Sequence, residues 1–194
     1  MTAQQTVPEK MAEADVIELL QAQHGMIRNL FDEVEQASAD RRAEAFTRLV
    51  RLLAVHETAE EEIVHPRARH AFEGGDGIVD DRLAEEHEAK ELLQRMDQAG
   101  ADAPDFMHNL LVLRAAVEAH ARSEERYEFT KLYAHTTKAE RRAMAAGVKA
   151  AEAMAPTHPH PGVESAKKNI LMGTPAAMMD RVRDVIRQAM GKNP

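Results

Sequence analysis

Neither cysteine nor tryptophan occurs in the 194 residues. The absence of cysteine excludes disulfides and thiolate metal sites together. Aromatic residues make up only 4%, with 9 glycines and 8 prolines, which leaves little material for sheets or tight hairpins. No apolar run approaches the ~18 residues of a membrane span. The opening stretch "MTAQQTVPEKMAEAD" lacks the apolar segment of a secretory signal, so a cytoplasmic setting with no membrane partner is expected. Basic charge is also in deficit: 25 Lys and Arg against 33 Asp and Glu give a net charge of −8. That balance argues against nucleic acid as a partner. What is abundant is Ala, Glu, Arg, Leu and Met, the residues of helices.

The helical periods predict an all-α protein, an antiparallel up-down-up-down four-helix bundle with additional C-terminal helices. Residues 1–14 read as a flexible tail. Asp15 and Glu18 have the spacing of a capping box and open a helix to about Ala37, striped by Ile17, Leu20, Ile27 and Phe31. A second helix runs from about Arg41 to Val64, where Pro66 bends or ends it. "EGGDG" (73–77) reads as a loop, and a third helix covers about Asp80 to Ala99. Pro104 fits the first turn of a fourth helix reaching about Leu132. The bundle is thus placed at 15–135. Residues 136–194 form an extension: a helix opening at Thr137-x-x-Glu140, the Pro-rich loop "APTHPHPG", and an amphipathic segment after Thr174-Pro175. The extension packs on the bundle or on a second subunit, so monomer and homodimer both stay open.

Three histidines fall in the middle of apolar stripes: His24 among Ile17, Leu20 and Phe31; His56 among Leu49, Leu52 and Ile63; His120 among Leu113, Ala116 and Val117. Glu60 and Glu124 each stand one turn after their own histidine, on its face. His87 is an edge position by periodicity, with Lys90, Glu91 and Gln94 crowding the next turn. His24 and His87 are 63 residues apart; His56 and His120, like Glu60 and Glu124, are 64 apart. The chain therefore reads as two helical hairpins, each giving a lone His and then His-x-x-x-Glu. Two buried carboxylates without partners would cost several kcal/mol each, and cations remove that cost. An all-nitrogen-and-oxygen set with two carboxylates suits two Fe or Mn ions better than one Zn ion, or than Ca or Mg, which favour oxygen shells. His65 lies on the opposite side of its helix from His56. With His70, His108 and His135 it reads as an ordinary surface or helix-end residue, and the eleven Met read as core filler.

The four stretches "QAQHGMI", "AVHETAEEEIVHP", "LAEEHEAKELL" and "EAHARSEERYEF" resemble the hemerythrin-like (HHE cation-binding) proteins, whose pattern is H…HxxxE…H…HxxxE. The resemblance spans about residues 15–135, and the tail resembles the extension of some bacterial members. It implies His24, His56, Glu60, His87, His120 and Glu124 as ligands of an oxo- or hydroxo-bridged pair of Fe ions, Glu60 and Glu124 bridging, with Mn or Zn as lesser alternatives. Oxygen carriers of the family place a second His one turn after the third-helix His; Glu91 stands there instead, which speaks against simple reversible O2 carriage. Some iron-sensing members have an acid where Glu57 stands, making Glu57 a candidate further ligand. Tyr127, two turns beyond His120, is a candidate hydrogen-bond donor or ligand. The implied function is reaction with or binding of O2, hydrogen peroxide or nitric oxide in stress or iron-redox chemistry, with catalase-like or peroxidase-like turnover left open. The alternative is an iron- or oxygen-responsive sensor acting through its C-terminal extension.

Overall fold

The computed structural model describes residues 14–154, with Asp184 beyond them. The expected N-terminal tail, Pro-rich loop and final amphipathic segment lie otherwise outside the described residues. Among those described, every regular element is helical: α1 (Val16–Gln36), α2 (Ala39–Ala59), α3 (His65–Ala71), α4 (Gly75–Ala99), α5 (Phe106–Ser123), α6 (Phe129–His135) and α7 (Lys138–Met154). Two π turns, Glu60–Val64 and Glu124–Glu128, join α2 to α3 and α5 to α6 without a break. α1 packs on α2, α4 on α5, and α1 also on α5, giving the expected helical bundle.

The start of α1 follows its sequence signal. The Asp15 carboxylate accepts from the backbone N–H groups of Ile17 and Glu18, and Glu18 accepts in return from the Asp15 N–H at 2.9 Å. Thr137 and Glu140 repeat the device at α7, where the Thr137 N–H donates to Glu140 at 2.8 Å.

Three boundaries differ from expectation. Pro66 does not end the second helix, because it occupies the first turn of α3, where a missing N–H is tolerated. The "EGGDG" loop shrinks to a turn. Gly74 takes a left-handed φ of 79°, while Gly75 already starts α4 and lies so close to α3 that a Cβ would sit 2.4 Å from the Ala68 carbonyl oxygen. Pro104 falls in the turn before α5, which begins at Phe106.

Two apolar layers fill the interior. One gathers Leu20, Val55, Val64, Val79, Phe129 and Leu132, with Ala145 and Val148 of α7. The other gathers Ile27, Phe31, Phe46, Leu49, Leu93, Phe106 and Leu113. His24, Glu86 and His120 fall in chain order between these layers, and His56 directly follows Val55 of the first. The described part of the extension packs on the bundle: α7 lies against α1 and α2, and Arg141 donates to Asp15 at 2.7 Å in a buried pair.

Candidate metal centre

The centre is a buried polar layer held by two hairpins, α1 with α2 and α4 with α5. His24, His56, Glu60 and Glu124, all buried, bring ligand atoms within 4.8 Å of one another, and Glu60, Glu86 and His120 do the same. The Nε2 atoms of His24 and His56 are 3.1 Å apart. Glu60 approaches His56, and Glu124 approaches both His24 and His120, at 3.3 Å.

The other face of each imidazole explains why these edges converge. His24 Nδ1 donates to Glu125 at 2.8 Å, His56 Nδ1 to the Gln23 amide oxygen at 2.7 Å, and His120 Nδ1 to Glu85 at 3.0 Å. With Nδ1 as donor, the neutral ring keeps its Nε2 lone pair facing inward. The Nε2 edges of His24, His56 and His120 and the carboxylate oxygens of Glu60 and Glu124 thus face one another. Both oxygens of Glu60, both of Glu124, and His120 Nε2 are buried without a hydrogen-bond partner among the described residues.

Such an arrangement is costly unless a cation fills it. Burial, then the nearby Glu124 carboxylate, pushes the Glu60 pKa well above its usual value. Burial also opposes charge on Glu124, but His120 and His24 outweigh it and hold that carboxyl well below its usual range. Burial and the neighbouring His24 keep His56 neutral. Ions that take N and O donors at about 2.0–2.2 Å hold adjacent donors about 3 Å apart. The spacings of 3.1 and 3.3 Å match that requirement, so the residues present fit a bound metal cation.

Of the six residues implied by the resemblance, five are brought together: His24, His56, Glu60, His120 and Glu124. His87 is not. Its side chain is 74% exposed and lies 3.4 Å from Glu91, itself on the surface. The buried stripe of α4 is Val79, Arg82, Glu86, Ala89, Leu93 and Met96, spaced by fours and threes. His87, one residue off that stripe, is turned outward by about 100°, and Glu86 faces the centre in its stead. The stripe could have been found in the sequence by extending it back from Leu93 and Met96.

The π turns account for the other departures. Each carries an i to i+5 bond, from the His65 N–H to the Glu60 carbonyl and from the Phe129 N–H to the Glu124 carbonyl. The wider turn resets the faces that follow. His65, expected on the far side of its helix, is 2% exposed and donates to Glu128 at 2.9 Å and Glu86 at 2.7 Å. Burial opposes its charge, but these two carboxylates raise its pKa to about 10. Tyr127, expected on the ligand face, is 49% exposed under the Arg126 guanidinium. Glu57 is buried, 3.6 Å from Lys90 Nζ, and burial pushes its carboxyl up to about 8. No α-helical wheel shows the shifts of His65 and Tyr127, because a π turn has no signature in residue type.

A cavity of about 20 Å³ abuts the polar layer, walled by Ile27, Leu53 and Val117 with His56, Glu86 and His120.

The family described as the hemerythrin HHE cation-binding domain matches residues 15–132, more than half of the chain. The chain belongs to that family. A DNA nickase from Nostoc sp. is 29% identical over 112 residues, 57% of this chain and 31% of the relative. The chain therefore spans about a third of that relative's length. The expectation that nucleic acid is not a partner finds no support in this comparison, given the relative's name. No solved structure matches the chain. Membership and the buried His and Glu groups together make this hemerythrin-like chain a cation-binding protein. Among the described residues, no helix is long and apolar enough to cross a membrane.

Proposed function

We propose that this chain is a non-haem di-iron protein, acting in the cytoplasm, that binds or reacts with O2, hydrogen peroxide or nitric oxide. His24 and His56 would hold one ion and His120 with Glu86 the other, with Glu60 and Glu124 adding carboxylate donors. Iron bound there supplies the electrons for redox chemistry on the small ligand.

The observation that carries this reading is the cavity. About 20 Å³ holds one or two water-sized molecules. The space beside the metal ligands therefore suits a diatomic or a peroxide and excludes organic substrates. Ile27, Leu53 and Val117 give that space an apolar wall. Glu57 stands on the cavity wall, its carboxyl pushed up to about 8 by burial. Lys90 faces Glu57 from the adjoining helix and is itself partly exposed.

A sensor without turnover is the second reading, and one contact favours it. α7 rests on the first π turn, where Gly147 lies so close to Ile63 that a Cβ would approach its side chain to 2.9 Å. Through that contact a change at the π turn that begins at Glu60 would reach the extension.

The test is metal content and the visible spectrum of aerobically purified protein, followed by peroxide consumption and O2 rebinding. About two irons per chain with a charge-transfer band support the centre. Rapid peroxide loss then favours the reactive protein, and metal-dependent melting without turnover favours the sensor. One zinc per chain, or no metal after anaerobic Fe(II) loading, overturns both.

A further inference from the structure

The two ends of the centre are built from corresponding residues that differ in donor chemistry. Gln23 and Glu85 stand 62 residues apart, as do His24 and Glu86. In each hairpin the first residue of the pair accepts from the Nδ1 of a His-x-x-x-Glu histidine: Gln23 from His56 at 2.7 Å, Glu85 from His120 at 3.0 Å. In each, the second residue faces the centre. His24 does so with Nε2, 3.1 Å from His56 Nε2, and Glu86 with a carboxylate oxygen 4.0 Å from His120 Nε2. One end thus has an imidazole and an amide where the other has two carboxylates.

The carboxylate end is held in place from outside. Arg82 donates to Glu85 at 2.7 Å, while His65 and Lys90 donate to the two oxygens of Glu86 at 2.7 and 3.0 Å. Gln23 is wholly buried and Glu85 is 41% exposed.

We infer that the centre has two unequal cation positions. A nitrogen-rich one, at His24 and His56, selects borderline ions. An oxygen-rich one, at Glu86 and His120, selects harder ions, with Gln23 and Glu85 as the positioning residues that widen the difference. Imidazole suits Fe, Co and Zn, whereas carboxylate suits Mn. A carboxylate behind an imidazole raises its basicity, and changing such a partner alters metal affinity about 10–100-fold. The inference rests on the reading of this layer as a metal pair.

The experiment titrates the metal-free full chain anaerobically with Co(II), followed by its visible bands, and separately with Mn(II), followed by electron paramagnetic resonance. Each ion is expected to bind in two classes at least about 10-fold apart. Glu85→Gln, nearly isosteric and partly exposed, is expected to weaken the tighter class for Mn(II) but the weaker class for Co(II), by about 10-fold or more. Gln23→Glu is expected to tighten the stronger Co(II) class and leave the stronger Mn(II) class alone. If that buried charge prevents folding, Glu85→Gln decides alone. Two equal classes in the unaltered chain, or Glu85→Gln acting on the same class for both ions, overturn the inference while leaving the metal pair intact. Failure of both ions to bind overturns the metal pair and the inference with it.

Discussion

The hairpin α1–α2 and the hairpin α4–α5 present the same plan to the centre with different neighbours. Both give an inward residue on the first helix and His-x-x-x-Glu on the second, and both follow the glutamate with a π turn. Beyond that they diverge. In the first hairpin His65 follows the π turn; the corresponding position in the second is Phe129, which stacks on His24 at 5.9 Å. The first is braced by α7, while the second carries the extra carboxylates Glu85, Glu86 and Glu128. The repeat thus conserves where ligand atoms point and varies what lies behind them. A shared geometry with unequal surroundings can hold two ions that differ in strength.

The largest expected effect comes from one residue of the centre. Glu60→Gln should abolish metal binding while raising the stability of the metal-free protein at neutral pH, since burial and the Glu124 carboxylate disfavour charge there and an amide carries none. Elemental analysis and urea unfolding under chelation check the two signs together.

Next comes the brace. Arg141→Met leaves Asp15 buried without its partner and should cost about 3–5 kcal/mol. Hydrogen exchange should then rise in α1 and α7 well before α4 and α5; a uniform rise would show that the halves do not differ in this respect.

A third comparison sets adjacent residues against each other. Glu86→Gln should lose about half of the bound metal, because only the second position draws on it. His87→Ala should keep all of it and shift stability by no more than about 0.5 kcal/mol, as for other exposed sites. The reverse pattern would restore His87 as the ligand.

The smallest effect concerns pH. The Glu140 carboxyl is held down to about 2 by the backbone N–H of Thr137 and the Arg67 guanidinium. A lowered folded pKa gives stability that is present above the usual glutamate range and is lost as pH falls through about 2. Glu140→Gln should flatten that part of the acid melting curve, read by helical circular dichroism.

Much of this was legible in the residues. Asp15 with Glu18 and Thr137 with Glu140 announced two helix starts, since capping depends on residue type at fixed spacing. His24, His56 and His120 stood out because each is a polar residue amid an apolar stripe and two of them stand one turn before a glutamate on the same face. Glu86 was hidden by its neighbour: in "EEHE" the histidine draws the eye, while the stripe from Val79 to Met96 selects the glutamate. His65 and Tyr127 were misplaced for a geometric reason. A wheel turned at 100° per residue assumes an unbroken α-helix, and each π turn adds what that wheel leaves out.

The pairing of Asp15 with Arg141 has a practical consequence for where this protein can be cut. The family match ends at residue 132, yet the aspartate that begins α1 finds its cation nine residues past that point. A fragment trimmed to the match would leave the Asp15 carboxylate without its cation and lose Ala145 and Val148 from the interior. The stretch inherited from the family is therefore shorter than the stretch that stands by itself, and α7 belongs to the latter.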